Sequence, residues 1–275
     1  MKFKSRQRLA ITLTVCVCAL LAACQTVQTT QSGTVGVDRK QSMMVSAEKM
    51  NQSAAQAYRQ VLQEEGKKGA VNHDPEQVKR VRAIAARLIP AAAAFRADAP
   101  GWKWEVNVIS SKDVNAWCMP GGKIAVYTGL IERIKPSDDE LAAVMGHEIA
   151  HALREHGRER ASQAAGQSVA AGVIGAAIGM GSLGTDMTST VLNITFGLPN
   201  SRLHETEADR IGVELAARAG YDPRAAVTLW KKMGQVGGGQ PPQFLSTHPS
   251  NETRQQDLLV YAQRVMPLYE QAKKP

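Results

Sequence analysis

Ser137-Asp138-Asp139-Glu140-Leu141-Ala142-Ala143-Val144-Met145-Gly146-His147-Glu148-Ile149-Ala150-His151 is the stretch from which the architecture can be read. Ser137 with Glu140 three residues on is a capping box, so a helix is expected to start there and to end near Gly157. His147 and His151 are one helical turn apart and share a face, so both imidazoles can reach one ion. Glu148 projects beside them, where it can take a proton from metal-bound water. Val144, Met145, Ile149, Ala152 and Leu153 surround these polar residues. An acid placed among them has no reason to be there on a merely solvated face. The stretch therefore predicts a metal-centred site carried on a buried helix.

A catalytic zinc ion takes three protein ligands and keeps a fourth position open. Six residues past His151 stands Gly157, not a third histidine. His156 lies five residues past His151, about 140° round the helix, and is expected to point elsewhere. Glu155 and Glu159 lie further along the same helix and cannot fold back, so the third ligand is sought in another segment. The best candidate is Ser201-Arg202-Leu203-His204-Glu205-Thr206-Glu207-Ala208-Asp209. Glu205 and Asp209 share a helical face, so one can bind metal while the other hydrogen-bonds a ligand histidine. Glu205 is the leading candidate for the metal, while His204 and Glu207 fall off that face and are expected to be solvated.

Around this centre the chain reads as mainly helical α+β. It has 275 residues, 44% hydrophobic and only 5% aromatic, enough for one well-packed domain and tilted towards helices. Helical patterns cover 45–65, the run from Asp74-Pro75 to a kink or stop at Pro90, and 201–219, and resume from Asp222-Pro223 and from Ser250. The strand signals are Trp104 to Val108 and Lys123 to Thr128, the second after a Met119-Pro120-Gly121-Gly122 turn. A small β-sheet is expected beside the active-site helix. The glycine-rich 166–184 segment has too short an apolar run to span a bilayer, and reads as a close-packed or mobile cover over the site.

The N-terminus divides into three parts. Residues 1–23 carry Lys2, Lys4, Arg6 and Arg8 ahead of an apolar run from Leu9 to Ala23, the pattern of a signal peptide. The run ends Leu21-Ala22-Ala23-Cys24, which resembles the acylation site of bacterial lipoproteins and makes Cys24 the lipidation candidate. Gln25 after it implies, by the same resemblance, outer-membrane retention facing the periplasm of a Gram-negative bacterium. Residues 24–44 are polar without periodicity and are expected to form a flexible tether, leaving 45–275 as the folded domain. Loss of the leader's four basic residues takes the formal charge from +8 to +4, too mild to argue for a nucleic-acid partner. Cys118 is then the one cysteine not spent on leader or lipid, and it reads as a buried inert thiol.

Taken together, the motifs resemble those of the HtpX/BepA-type zinc metallopeptidases, relatives of the CAAX prenyl endopeptidases. Among these the chain looks most like the small LoiP-like outer-membrane lipoproteins. The matching pieces are Asn115, Pro120-Gly121-Gly122 and Gly129-Leu130, then His147-Glu148-x-x-His151, Ser201-Arg202-x-x-Glu205-x-x-Ala208-Asp209, and His248-Pro249 with Arg254. The resemblance implies a zincin-type metallopeptidase domain holding one Zn2+ on His147, His151 and Glu205. It implies Glu148 as general base, Asp209 as partner of a ligand histidine, and 123–128 as the edge strand lining the cleft. It also brings His248 beside the zinc, either donating to the developing oxyanion or closing the metal's open position to keep the enzyme latent.

The expected function is a membrane-anchored zinc metalloendopeptidase hydrolysing unfolded or misassembled envelope proteins, held to the membrane by its N-terminal lipid. The reading from another class is a chaperone-like or scaffolding envelope lipoprotein with a latent or structural zinc site. Glu148 separates the two, because a structural site has no use for that acid.

Overall fold

The computed structural model describes residues 25–177, 186–236, 242–249 and 252–273, and the signal-peptide and Cys24 readings fall outside them. The described residues open with two short antiparallel strands, β1 (Gln25–Val27) and β2 (Gln41–Met43). Helix α1 (Ala47–Lys67) starts at Ser46, whose side chain accepts from the Lys49 amide. Helix α2 (Pro75–Ala91) starts at Asp74, which caps the amides of Glu76 and Gln77, and Pro90 sits in its last turn. Three strands follow, β3 (Glu105–Ile109), β4 (Ala116–Met119) and β5 (Lys123–Tyr127). Then come α3 (Thr128–Ile134), α4 (Asp138–Leu153), α5 (His156–Ala177) and α6 (Met187–Leu192), the last running into a wide turn at Asn193–Gly197. The chain continues through α7 (Arg202–Arg218), α8 (Ala225–Gln235), α9 (Gln243–Thr247) and α10 (Glu252–Ala272). The mainly helical α+β architecture with a small sheet is as expected.

Helix α4 is buried on every side. From Glu140 to Leu153 no residue is exposed, with α7 along one flank, β4 on another, and α2 and α8 completing the enclosure. The capping box at its start is formed, each of Ser137 and Glu140 accepting from the other's backbone amide. The contact with α7 is made through two glycines. A Cβ on Gly146 would stand 2.9 Å from the Gly212 carbonyl oxygen, and one on Gly212 would stand 2.9 Å from the His147 nitrogen. Only at such a backbone-to-backbone crossing can Glu205 and Asp209 of α7 reach the histidines of α4.

Two expectations about this frame are corrected. The strand at 123–128 is not an edge: sheet order is β3-β5-β4, with β5 parallel to β3 and antiparallel to β4. Its residues from Lys123 to Val126 are fully buried, as a central strand requires. The edge beside the cleft is β4, which the polar-to-apolar alternation did not mark as a strand. Second, residues 25–44 are a strap folded onto the domain and not a free tether. Val35, Val37, Gln41 and Met43 are buried, and Gln41 donates to the Arg154 carbonyl at 2.8 Å and to Glu159 at 2.6 Å. Polar residues are inside here because each one has a partner.

Helix α4 also ends earlier than Gly157. It stops at Leu153, and Glu155 takes a left-handed conformation (φ 52°) before α5 begins. The cause lies at Arg154, fully buried, whose guanidinium is tied to Glu207, Thr29, Thr30 and the Arg39 carbonyl. No helix among the described residues is long and apolar enough to cross a membrane. The side chains of 169–177 and all of 178–185 lie outside the described residues, as does much of the proposed cover.

Candidate metal centre

Four side chains converge where α4 crosses α7. His147 and His151 come from α4, Glu205 from the first turn of α7, and His248 from the turn after α9. Their ligand atoms lie within 4.8 Å of one another and all four residues are buried. His147 Nε2 is 3.1 Å from His151 Nε2 and 3.2 Å from His248 Nδ1. Glu205 Oε1 is 2.9 Å from His248 Nδ1 and 3.3 Å from His151 Nε2, and Glu205 Oε2 is 3.5 Å from His147 Nε2.

These distances test whether a zinc ion fits. Nitrogen ligands about 2.1 Å from a tetrahedral ion stand roughly 3.4 Å apart, close to the spacings observed. The tautomers agree. His147 Nδ1 lies 2.9 Å from Asp209 Oδ1, which leaves Nε2 as a lone pair facing the centre. His151 Nδ1 lies 2.9 Å from His156 Nδ1, which likewise turns its Nε2 lone pair inward. Two buried lone pairs facing each other at 3.1 Å repel unless a cation lies between them. The donor set of imidazoles plus one carboxylate is the set zinc prefers.

The local field points the same way. Burial lowers the proton affinity of His147, but Asp209 and Glu205 outweigh it and push its pKa up to about 10. At His151 burial wins instead and holds the ring well below the ordinary histidine value, so its Nε2 lone pair is free for a metal. Burial alone would raise Glu205, yet His248, His147 and His151 hold it well below the usual carboxylate range, ionised as a ligand must be. Asp209 is likewise held down against its burial, by Arg254 first and then by His147. Arg254 spans both acids, with Nε 2.7 Å from Asp209 and Nη1 2.9 Å from Glu205 Oε2.

Glu148 is different. It is buried, its Oε1 makes no hydrogen bond, and His248 Nε2 stands 3.5 Å from that oxygen. Burial raises its pKa above the ordinary glutamate value, with Glu205 adding to the shift and His248 and His147 opposing it. It faces a cleft walled by Asn115 to Pro120 of the β4 segment, and on the other side by Val191, Ile194 and Thr195. Arg160 holds that far wall, donating to the carbonyls of Ile194 and Leu198 and to Asn200 Oδ1. The Asn200 amide then donates to the Thr247 carbonyl at 2.9 Å, fixing the turn that carries His248.

Sequence reasoning misplaced three residues. His156 does not point elsewhere, because the break at Arg154 and Glu155 turns it back onto His151. His204 and Glu207 are not solvated: both are buried, His204 Nε2 lying 3.1 Å from Glu159 and Glu207 lying 2.9 Å from His156 Nε2. Burial, against the opposing hydrogen bond to Glu207, lowers the His156 pKa to about 4 and keeps it neutral. The signal for this cluster was present as two His-x-x-Glu pairs, His156 with Glu159 and His204 with Glu207, but nothing in the spacing tells a buried pair from a solvated one.

Two histidines one turn apart, a carboxylate from a second helix and a buried glutamate with one unbonded oxygen beside a strand edge are the features of a zincin-type zinc metallopeptidase. The model of Peptidase family M48 matches residues 75–262, and the chain belongs to that family. It is 42% identical over 154 residues to the mitochondrial metalloendopeptidase OMA1 of Arabidopsis thaliana, covering 56% of this chain and 30% of that protein. It is 36% identical over 212 residues to the mitochondrial metalloendopeptidase OMA1 of Schizosaccharomyces pombe, 76% of this chain and 60% of that one. With the beta-barrel assembly-enhancing protease of Escherichia coli it shares 28% identity over 210 residues, 73% and 42% of the respective lengths. The chain thus spans between about a third and three-fifths of these relatives.

Proposed function

We propose that the protein is a membrane-anchored zinc metalloendopeptidase that cuts unfolded or misassembled envelope proteins, with its site held latent by His248 until substrate enters. The observation that carries the reading is Glu148, a buried carboxylate with an unbonded oxygen set between the ligand cluster and the cleft. A structural metal site needs no such acid and spends no desolvation on it.

Zinc, when bound by His147, His151 and Glu205, supplies Lewis acidity that polarises a peptide carbonyl and acidifies water. Glu148 takes up and returns the proton at Oε1, and its raised pKa moves it towards the range where a general base works well. Among the described residues strand β4 pairs only with β5, so its far side can take an extended chain by main-chain hydrogen bonds along Ala116–Met119. Capture of that kind selects unfolded segments over a side-chain motif, which supports misassembled proteins as substrates.

The convergence of His248 on the ligand set also favours a second reading, a scaffolding lipoprotein whose metal site is closed by four protein ligands. Glu148→Gln decides between them. The variant should keep its zinc and lose cleavage of an unfolded protein by about 10²–10⁴-fold; cleavage at the wild-type rate would sink the protease reading. The anchor reading rests on Leu21-Ala22-Ala23-Cys24 and the outer-membrane assignment on Gln25. Cys24→Ser should release the domain from the membrane fraction or leave it unprocessed, whereas a wild-type chain recovered wholly soluble without acyl mass would remove the anchor.

A further inference from the structure

Beyond the ligand set, a buried polar cluster lies directly against His151. His156 Nδ1 is 2.9 Å from His151 Nδ1, and His156 Nε2 is 2.9 Å from Glu207 Oε2. The hydrogen positions follow from the contacts. His151 turns Nε2 to the ligand set, so its Nδ1 carries the hydrogen and donates to His156 Nδ1. The neutral His156 ring then carries its own hydrogen on Nε2 and donates to Glu207. One arrangement satisfies the whole line, and it runs carboxylate, imidazole, ligand imidazole.

The far end of the line is held by the N-terminal strap. Glu207 accepts from Arg154 Nε at 3.1 Å and from Arg39 Nε at 2.7 Å. Arg39 also grips Glu159 through both terminal nitrogens, at 2.7 and 2.8 Å. The His204 ring stacks on His156 with centroids 4.3 Å apart, fixing the plane in which His156 can hydrogen-bond. Both carboxylates are engaged by guanidinium groups, so this cluster is a clamp and not a second cation site.

We propose that His156 and Glu207 are positioning residues that set the tautomer and orientation of His151, and that Arg39 of the strap completes this device by fixing Glu207. His147 receives the same service in one step from Asp209; His151 receives it in two. The assignment rests on the reading of His151 as a zinc ligand. It makes residues 25–44 part of the metal site's outer support, although none of them reaches the metal.

The test is the zinc affinity of the purified full-length chain, measured by competition with a chromophoric chelator, beside the melting temperature of each metal-free variant and its kcat and KM on an unfolded protein. His156→Phe keeps the ring volume and removes the acceptor. It should weaken zinc by about 10–100-fold and lower kcat at limiting zinc while leaving KM in place. His156→Gln should restore most of the affinity, since its amide oxygen can accept from His151 and its NH2 can donate to Glu207. Arg39→Met, on the partly exposed strap, should weaken zinc in the same direction without unfolding the metal-free chain. Wild-type zinc affinity in His156→Phe would overturn the proposal, and so would a His156→Gln chain as weak as His156→Phe, which would make the contact mere packing. If His156→Phe does not fold, Arg39→Met decides, and unchanged affinity there overturns it. A wild-type chain that binds no zinc is a separate result, which removes the metal assignment itself.

Discussion

Gly146 and Gly212 meet backbone to backbone, and the metal centre exists because they do. Neither position has room for a Cβ, which would stand 2.9 Å from a carbonyl oxygen on one side and 2.9 Å from the His147 nitrogen on the other. Gly212→Ala should therefore push α7 off α4. Overpacking of this kind costs about 1–3 kcal/mol, read as a lower denaturation midpoint. Because Glu205 and Asp209 ride on α7, the same variant should also bind zinc more weakly, which a purely structural loss elsewhere in the core would not produce.

The two acids of α7 differ in what they do, and their variants should differ too. Glu205→Ala removes a ligand and should leave the purified chain with little or no zinc by metal analysis. Asp209→Asn keeps the shape but weakens the hold on His147 Nδ1 and on Arg254. It should retain zinc at stoichiometric loading and lose about 10–100-fold in affinity. Equal zinc content and affinity in both variants would mean that the two acids do not differ in role, and the reverse pattern would mean that the roles are exchanged.

The helix of the ligand histidines was legible because a capping box, a one-turn histidine spacing and an apolar surround are all local properties. Glu205 and Asp209 could be proposed from their own spacing, and the structure brings both beside His147. What could not be read is non-local. That β5 is the central strand depends on its parallel pairing with β3, and no residue of β5 announces its neighbours. The strap at 25–44 has no hydrophobic period, since what seats it is a few isolated buried side chains, Val35, Val37 and Met43, together with polar bonds to Arg154, Glu159 and Glu207, residues more than a hundred positions away. His156 was misread because the helix was extended to Gly157, whereas the break falls on a non-glycine residue in a left-handed conformation, held there by the burial of Arg154.

The strap also predicts how the fold responds to acid. Burial raises the Glu159 pKa, but Arg39, His204 and Gln41 together carry it well below the usual carboxylate range. Its folded value lies below its unfolded value of about 4.3, so its stabilising contribution is complete above that pH and is lost as pH falls towards the folded value. Denaturant titrations from neutral pH downwards should show stability declining below about pH 4.3. Glu159→Gln should be less stable at neutral pH by about 1–3 kcal/mol and should show a shallower decline in acid. An acid limb identical to that of the wild type would mean that the strap does not depend on this charge.

His248 stands where two opposite roles are possible, and its neighbours favour one of them. Its Nδ1 lies 2.9 Å from Glu205 Oε1 and 3.2 Å from His147 Nε2, among the ligand atoms, while its Nε2 stands 3.5 Å from Glu148 Oε1 on the wall of the cleft. Its ring is stacked on Phe244 at 4.4 Å, and its turn is tied through the Thr247 carbonyl to Asn200, beside the cleft wall that Arg160 holds. A histidine so placed can fill the metal's open position, and substrate must displace it before the site can work. His248→Ala should then raise basal cleavage of an unfolded protein while zinc content stays near one per chain. An oxyanion donor predicts the reverse, a fall in turnover of about 10²–10³-fold with zinc retained. Rates that do not change at any pH between 6 and 9, a window of about three units centred above the ordinary histidine value, would show that the imidazole takes neither role.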